Sequence, residues 1–459
     1  MATETPVTGQ SLRHSLSIRQ MTMIAIGGVI GAGLFVGSGS AIRTAGPGVL
    51  IAYGVVGAVV VLVMRMLAEL AVAAPDSGSF STYAGREIGH WAGLAIGWLY
   101  AYHWCVIIGF EAIAGAAIAH RLVPGVPSWL AALVFMCVLT GVNLVSVRSF
   151  GRFEFWFALI KVCAIVVFIA LGLVAILGLF PGRAAPGLDN LTGQGGFLPH
   201  GLSAVMAAML AVFLSFFGTE VITVAAGEAQ RPAEAVRRSM RSVVWRILVF
   251  YIGSIFVVVT LLPWNSTEVT ASPYTAVLKN LGIPGAGTVM DLIVLTAVLS
   301  CLNSGVYASS RMLYSMASRG EAPAIFARLN ARTVPAAGVL ISSAVGFVTV
   351  AANYFLPTEV IFQFLLNSSG AVAVVVYLCI TVTQIRGRLR LRRTGAEDTL
   401  SVRMWGFPYL SGLVLVVLAA VILGMGNDTG KRESLVLTLI VTAIAVVAGL
   451  VLQRRKEIR

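Results

Sequence analysis

Apolar runs long enough to cross a hydrocarbon layer of ~30 Å recur about twelve times along the chain, separated by short polar or basic stretches. They fall at 20–44, 48–73, 90–119, 127–147, 154–180, 201–226, 241–263, 286–316, 335–355, 359–384, 404–425 and 434–452. In lipid such a run satisfies its own backbone only as a helix, so the pattern predicts an all-α integral membrane protein with twelve transmembrane helices. Composition agrees. Of 459 residues, 58% are hydrophobic and 11% charged, whereas soluble domains carry about a quarter charged residues. There is too little charge to clothe a soluble surface of this size, and a secreted, fibrous or disordered chain is excluded. The 48 glycines and 16 prolines are better tolerated in transmembrane helices than in soluble ones.

The net charge of +13 would suggest nucleic acid on a soluble protein, but its distribution argues otherwise. Of the 32 Lys and Arg residues, 25 fall in the tails and alternate loops that face one side, six on the other side, and Lys161 inside a span. The positive-inside rule then places both tails, 1–19 and 453–459, in the cytoplasm, and no nucleic-acid partner is expected. No cleavable signal peptide is expected, because the first nineteen residues are polar and no short apolar segment with a cleavage site follows. Cys105, Cys137, Cys163, Cys301 and Cys379 lie in apolar spans without CxxC spacing and read as small buried hydrophobes. The five histidines are scattered, mostly at span ends, so no metal site is expected. No nucleophile–base pair or HExxH motif suggests an enzyme.

Irregularities inside the spans carry the functional information. The first span clusters Gly27, Gly28, Gly31, Gly33, Gly37 and Gly39. These fit either close helix packing, with Gly33 and Gly37 as a small-xxx-small pair, or an unwound segment. The sixth span sets Ser215, Gly218, Thr219 and Glu220 in the middle of an apolar run. If the first ten spans form two five-helix halves, these interruptions correspond, which is the sequence pointer to a transport site at the bilayer midplane. Unwound backbone offers amides to a carboxylate and carbonyls to an ammonium, so one broken pair suits a zwitterion. Glu111, Lys161 and Glu220 lie deep in spans three, five and six. Each costs at least ~2.5–3.5 kcal/mol there if unpaired, so they read as proton-handling or substrate-contacting groups, or as a structural ion pair. Glu69, Glu87, Glu154, Glu228 and Asp291 read as interfacial. The loops after spans two and eight each read as a short amphipathic segment or as plain connector.

At GGVIGAGLFVGSG in span one, AAPDSGSFSTYA after span two, EFWFALIKV in span five and SFFGTE in span six, the chain resembles the amino acid–polyamine–organocation (APC) superfamily. Within it, the chain is similar to the bacterial amino acid transporter family over nearly its whole length. The runs RMLAELAVAAPDSGSFSTYAGREIGHWAGLAIGWLY and SCLNSGVYASSRMLYSMASRGEAPA are most like members that import 4-aminobutyrate (GABA). The resemblance implies a LeuT-like 5+5 inverted repeat with helices one and six broken. Its first repeat would span 20–180, its second 201–384, with two peripheral helices in 404–452. It implies proton-coupled import by alternating access across the bacterial cytoplasmic membrane, without a cofactor or sodium, by a chain functional as a monomer.

Carried over by position, the amides around Gly31, Ala32 and Gly33 would take the substrate carboxylate. The carbonyls of Val29 and Ile30, with those near Leu214 and Phe217, would take the ammonium. Phe216 or Phe217 would gate the site; Ser215, Gly218 and Asn303 would complete it. Ala32 stands where many relatives carry Ser or Thr, so a hydroxyl contact is absent. Lys161 matches the family's fifth-span lysine and would fill a cation site, with Ser300, Asn303 or Ser304 as neighbours. Glu111 is the first choice for the titrating group and Lys161 the second, with Glu220 in coupling or gating. The alternatives are import of proline or another neutral or aromatic amino acid, obligate exchange, and a membrane amino-acid sensor.

Overall fold

The computed structural model describes residues 29–457, apart from 77, 146, 181–184, 227–230, 232, 239–246 and 428. Gly27, Gly28 and Glu228 therefore lie outside the described residues, as do the N-terminal tail and the end of the C-terminal tail. Among the described residues the chain is helical with no strand, and ten helical stretches are long and apolar enough to cross a membrane.

The first of these stretches, Ala32–Ala73, joins the expected spans one and two. It comprises α1 (Ala32–Phe35), α2 (Gly37–Ala45) and α3 (Val49–Ala73). Short α4 (Ser79–Glu87) follows, then α5 (His90–Leu122), α6 (Ser128–Val145) and α7 (Val147–Ile176). After a single turn at Asp189–Thr192 come α8 (Gly201–Phe216) and α9 (Val221–Ala225). A π-helical segment, Ile247–Gly253, runs into α10 (Ser254–Leu261), and α11 (Thr267–Ala271) and α12 (Pro273–Asn280) cap it. The remaining helices are α13 (Ala286–Ser318), α14 (Ala336–Phe355), α15 (Thr358–Arg393), α16 (Tyr409–Asn427) and α17 (Thr429–Glu457). The loop after span two is helical as α4. The segment after span eight is instead the end of α13 followed by a 3-10 turn at Ala324–Ala327.

At the centre, the 33-residue helices α5 and α13 pack along each other, with α1 against both, α15 against α5, and α8 packed on α1, α2, α3 and α15. Around this core α6, α7, α16 and α17 turn large apolar side chains outward, among them Val138, Val167, Val416 and Ile444. Such a surface is stable only against lipid. At one end of the bundle, charge closes over the core. Arg388 Nη1 donates to Glu69 Oε2 at 2.7 Å and Arg390 Nη2 to Glu87 Oε1 at 2.8 Å. Glu69, Glu87 and Asp291 are all buried and paired, the last with Arg121 at 3.0 Å. They sit near helix ends as expected, and each carboxylate is satisfied by an arginine within the protein.

Candidate functional site

Both expected helix breaks are present. Val29–Gly31 is non-helical, α1 makes one turn, and Val36 interrupts it before α2. Helix α8 ends at Phe216; Phe217 is extended (φ −68°, ψ 145°) and Gly218 has φ +107°, a left-handed conformation that favours glycine. Helical structure resumes at Val221.

Side chains meet the backbone groups these breaks leave without helical partners. The Ala32 amide donates to Glu111 at 3.0 Å (Oε2), with Oε1 at 3.2 Å. The Gly218 amide donates to Glu220 Oε2 at 3.0 Å, and Tyr100 Oη donates to Glu220 Oε1 at 3.2 Å. Ser215 Oγ reaches the Gly33 carbonyl at 2.7 Å, joining the two broken helices. Tyr251 Oη bridges them again, 2.8 Å from the Ser215 carbonyl and 3.2 Å from that of Val29. Gly31 is required by close approach: a Cβ there would stand 2.5 Å from Glu111 Oε1 and 2.7 Å from Cys301 Cβ.

Between the breaks lies a narrow cavity lined by Val29 and Gly33, by Leu214 and Phe217, by Cys301, and by five residues of α5. Those five, His103, Trp104, Ile107, Phe110 and Glu111, share one face of α5 by their spacing. Of Phe216 and Phe217, it is Phe217 that lines the cavity: its ring centroid lies 3.9 Å from that of His103 and 5.5 Å from that of Tyr377. Phe216 points elsewhere and stacks on Tyr251 at 4.3 Å. Ile30, Gly31, Ala32, Ser215 and Gly218 frame the cavity without lining it. Asn303 is not brought to it; its Oδ1 accepts from Asn143 Nδ2 of α6 at 2.7 Å.

A second polar cluster lies in the core. Lys161 Nζ donates to Ser300 Oγ at 2.9 Å, and Ser300 Oγ donates to Glu154 Oε1 at 2.6 Å. All three are fully buried. Ser300 is thus the neighbour that bonds Lys161, whereas Ser304 is buried with its hydroxyl unbonded. Glu154 is not interfacial: it lies seven residues from Lys161 on α7, two helical turns along the same face, and serves as its counter-charge. Cys137 and Cys163 are exposed on the lipid-facing surface, not buried, because the apolar medium around them is lipid; Cys301 lines the cavity.

His103 was also missed. Its position thirteen residues into a mostly apolar helix does not by itself show which way it faces. The spacing to Glu111, eight residues and about two turns, is the signal that places both on one face.

Two mid-membrane helix breaks facing a shared cavity, inside a lipid-clothed bundle, define a membrane transporter. The chain belongs to the amino acid permease family, whose family model matches residues 20–452. It is 48% identical to the gamma-aminobutyric acid permease of Bacillus subtilis, over 97% of this chain and 94% of the relative. It is 50% identical to the gamma-aminobutyric acid permease of Escherichia coli, over 90% and 88%. The aromatic amino acid transport protein AroP of Corynebacterium glutamicum is 42% identical, over 96% and 94%. Among solved structures, a manganese transporter mutant from Eremococcus coleocola superimposes with a TM-score of 0.61 at 14% identity, covering 96% of this chain and 94% of that one. The fold is therefore LeuT-like.

Proposed function

We propose that this protein imports 4-aminobutyrate and related small amino acids together with a proton, by alternating access across the bacterial cytoplasmic membrane. It works as a monomer with both termini in the cytoplasm, needs no cofactor, and does not use sodium. The names of its relatives support the substrate, and the alternation of basic loops supports the orientation.

The observation that carries the coupling is the Glu111 carboxylate on the Ala32 amide. A free amide at a helix N-terminus is a seat for an anion, and here the chain's own carboxylate occupies it. A substrate carboxylate arriving at the break competes for that seat. The displaced Glu111 then faces Ile107, Phe110 and Leu214, where an unpaired carboxylate costs several kcal/mol. It meets that cost by taking a proton. Substrate binding and protonation thereby favour each other, which is the requirement for symport. Lys161, held by Ser300 and Glu154, keeps a positive charge in the core where a sodium ion would otherwise be accommodated.

The test is uptake of radiolabelled 4-aminobutyrate into proteoliposomes with an inward proton gradient and no sodium. Accumulation that a protonophore abolishes is expected. Proton-driven uptake of an α-amino acid alone would replace the substrate, and uptake only into preloaded vesicles would replace symport by exchange. Binding without uptake would make the protein a sensor.

A further inference from the structure

The cavity has a second polar end that neither helix break supplies. On α5, His103 and Glu111 are eight residues apart, about 12 Å along the helix axis, and both line the same cavity. Between them the wall is Trp104, Ile107 and Phe110 of α5, faced by Val29 and Leu214. The lining is laid out as a slot around a space of only about 10 Å³ that must widen to admit a substrate: a carboxylate seat at one end, an apolar middle, and His103 at the other end.

His103 is fully buried, and neither ring nitrogen makes a hydrogen bond of ordinary geometry, although the Ser369 backbone stands close to the ring. A buried imidazole without partners is costly unless something else completes it. Its surroundings share the deficit. The hydroxyls of Thr219, Ser369 and Tyr377 are also buried without a well-formed hydrogen bond, those of Thr219 and Tyr377 lying near each other. Tyr377 packs on Phe217, Thr219 lies two residues beyond Phe217, and the imidazole lies beside the Ser369 backbone. Phe217, Tyr100 and Trp104 place aromatic rings around the same point, with centroids of the latter two 5.9 and 6.3 Å from that of Phe217. A neutral imidazole offers one acceptor nitrogen, hydroxyl oxygens offer more, and ring faces attract a cation. These are groups that suit an ammonium. Meanwhile the carbonyls nearer the breaks are engaged: Tyr251 approaches that of Val29, and that of Leu214 accepts from the Phe217 amide.

We propose that His103 is a specificity-determining residue that binds the substrate's ammonium at the far end of the slot, selecting amino acids whose charges are separated by several carbons over α-amino acids. The proposal rests on the functional reading above and names the element that measures substrate length. An α-amino acid presents both charges at one corner and leaves His103 and its hydroxyls unpaired. An ω-amino acid spans the apolar middle and satisfies both ends. Loss of such a buried hydrogen bond discriminates strongly, because the unmet partner stays in the site.

The experiment is uptake by the full-length protein in proteoliposomes, comparing glycine, β-alanine, 4-aminobutyrate, 5-aminovalerate and proline in the wild type, His103→Phe and His103→Gln. His103→Phe keeps the ring packed on Phe217 but removes both nitrogens; His103→Gln restores a polar group without a ring. We expect His103→Phe to raise KM for 4-aminobutyrate by about tenfold or more while altering that for proline far less, with His103→Gln intermediate. Monodispersity and thermal stability of each purified variant report folding, and binding of 4-aminobutyrate to detergent-solubilised protein gives a second readout independent of turnover. Unchanged KM and ranking in a folded His103→Phe overturn the proposal while leaving the functional reading intact. A wild type that carries proline but no ω-amino acid overturns both.

Discussion

The carboxylate of Glu111 lies with its two oxygens 3.0 and 3.2 Å from the backbone nitrogen of Ala32, across 79 residues of sequence. One amide thus joins the middle of α5 to the start of the first broken helix, and the joint is an ionisable group. Helical partners cannot satisfy that amide, since it opens α1.

Glu111→Gln keeps an acceptor oxygen for the Ala32 amide but cannot exchange a proton as a carboxylate does. Proton-driven accumulation of substrate is expected to fall by about tenfold or more, a loss of roughly 1.4 kcal/mol in coupling or greater. Exchange of internal for external substrate is expected to persist. Accumulation ratio and counterflow in the same vesicle preparation measure the two separately; a variant that accumulates normally removes Glu111 from the coupling step.

Gly31→Ala tests the same joint sterically. The new methyl would meet both Glu111 Oε1 and Cys301 Cβ closer than van der Waals contact, and the latter is fixed close to the backbone of α13. Overpacking of this kind costs about 1–3 kcal/mol. Uptake is expected to drop by about tenfold or more, with a lowered melting temperature in detergent. Wild-type transport would show that the break has more room than these distances describe.

How much of this was legible beforehand depended on whether a residue breaks a pattern along the chain or only faces a particular neighbour. Gly31, Gly33, Gly218 and Glu220 interrupt apolar runs, so both helix breaks could be placed from sequence. Lys161 was conspicuous as a charge in a span, and Ser300 was among its expected neighbours. Glu154 was misjudged because it lies near the start of its span, where an acid ordinarily meets water; burial came from α13 crossing over it, which no local signal encodes. In soluble helices an apolar stripe reveals the inward face. Helix α5 is surrounded by other helices and apolar on nearly every face, so the orientations of His103 and Ile107 could not be read. Asn303, a polar residue one turn from Ser300, resembled a site residue just as strongly, yet faces Asn143 on α6.

Ser300 occupies the middle of the buried chain from Lys161 to Glu154, accepting from one and donating to the other. Ser300→Ala removes both bonds and leaves two buried charges with one fewer partner each. Hydrogen bonds to charged groups contribute about 1.5–3 kcal/mol, so a fall of several degrees in the melting temperature is expected, together with slower proton-coupled uptake. Ser300→Thr, which keeps the hydroxyl, should restore much of both. Equal behaviour of the alanine and threonine variants would mean that the hydroxyl is not what holds this cluster.

Gly218→Ala probes the second break. A side chain at φ +107° is strained by about 1–3 kcal/mol, and relief requires the Phe217–Glu220 segment to move. Since the Gly218 amide is bonded to Glu220, and Glu220 to Tyr100, the movement would propagate to α5. The expected result is a transport defect of about tenfold with substrate binding weakened in parallel. Retention of both activities would indicate that this segment takes up a different backbone conformation during transport.

Arg319, just beyond the end of α13, ties that helix to α4 at one end of the bundle. Its Nη1 donates to Thr82 Oγ1 at 3.0 Å and its Nη2 to Ser81 Oγ at 2.8 Å, both on α4, while Glu321 accepts at 2.7 Å. A second link runs from Ser79 to Thr223 at 2.6 Å, connecting α4 to α9 beyond the broken helix. Alternating access requires these contacts to part when the site opens on that side. Arg319→Ala removes one link and leaves the other, biasing the equilibrium without exposing the core. A labelled cysteine at Gly78 would clash with Thr82 and Ser315 as well as with Arg319. Accessibility is therefore better read from hydrogen exchange of the α4 amides, expected to quicken about tenfold for a loss near 1.4 kcal/mol. Substrate efflux should quicken with it while KM for uptake changes little. If exchange quickens without any change in efflux, Arg319 merely stabilises α4 and the opening is governed elsewhere; if neither changes, the contact bears no part of the closed state's stability.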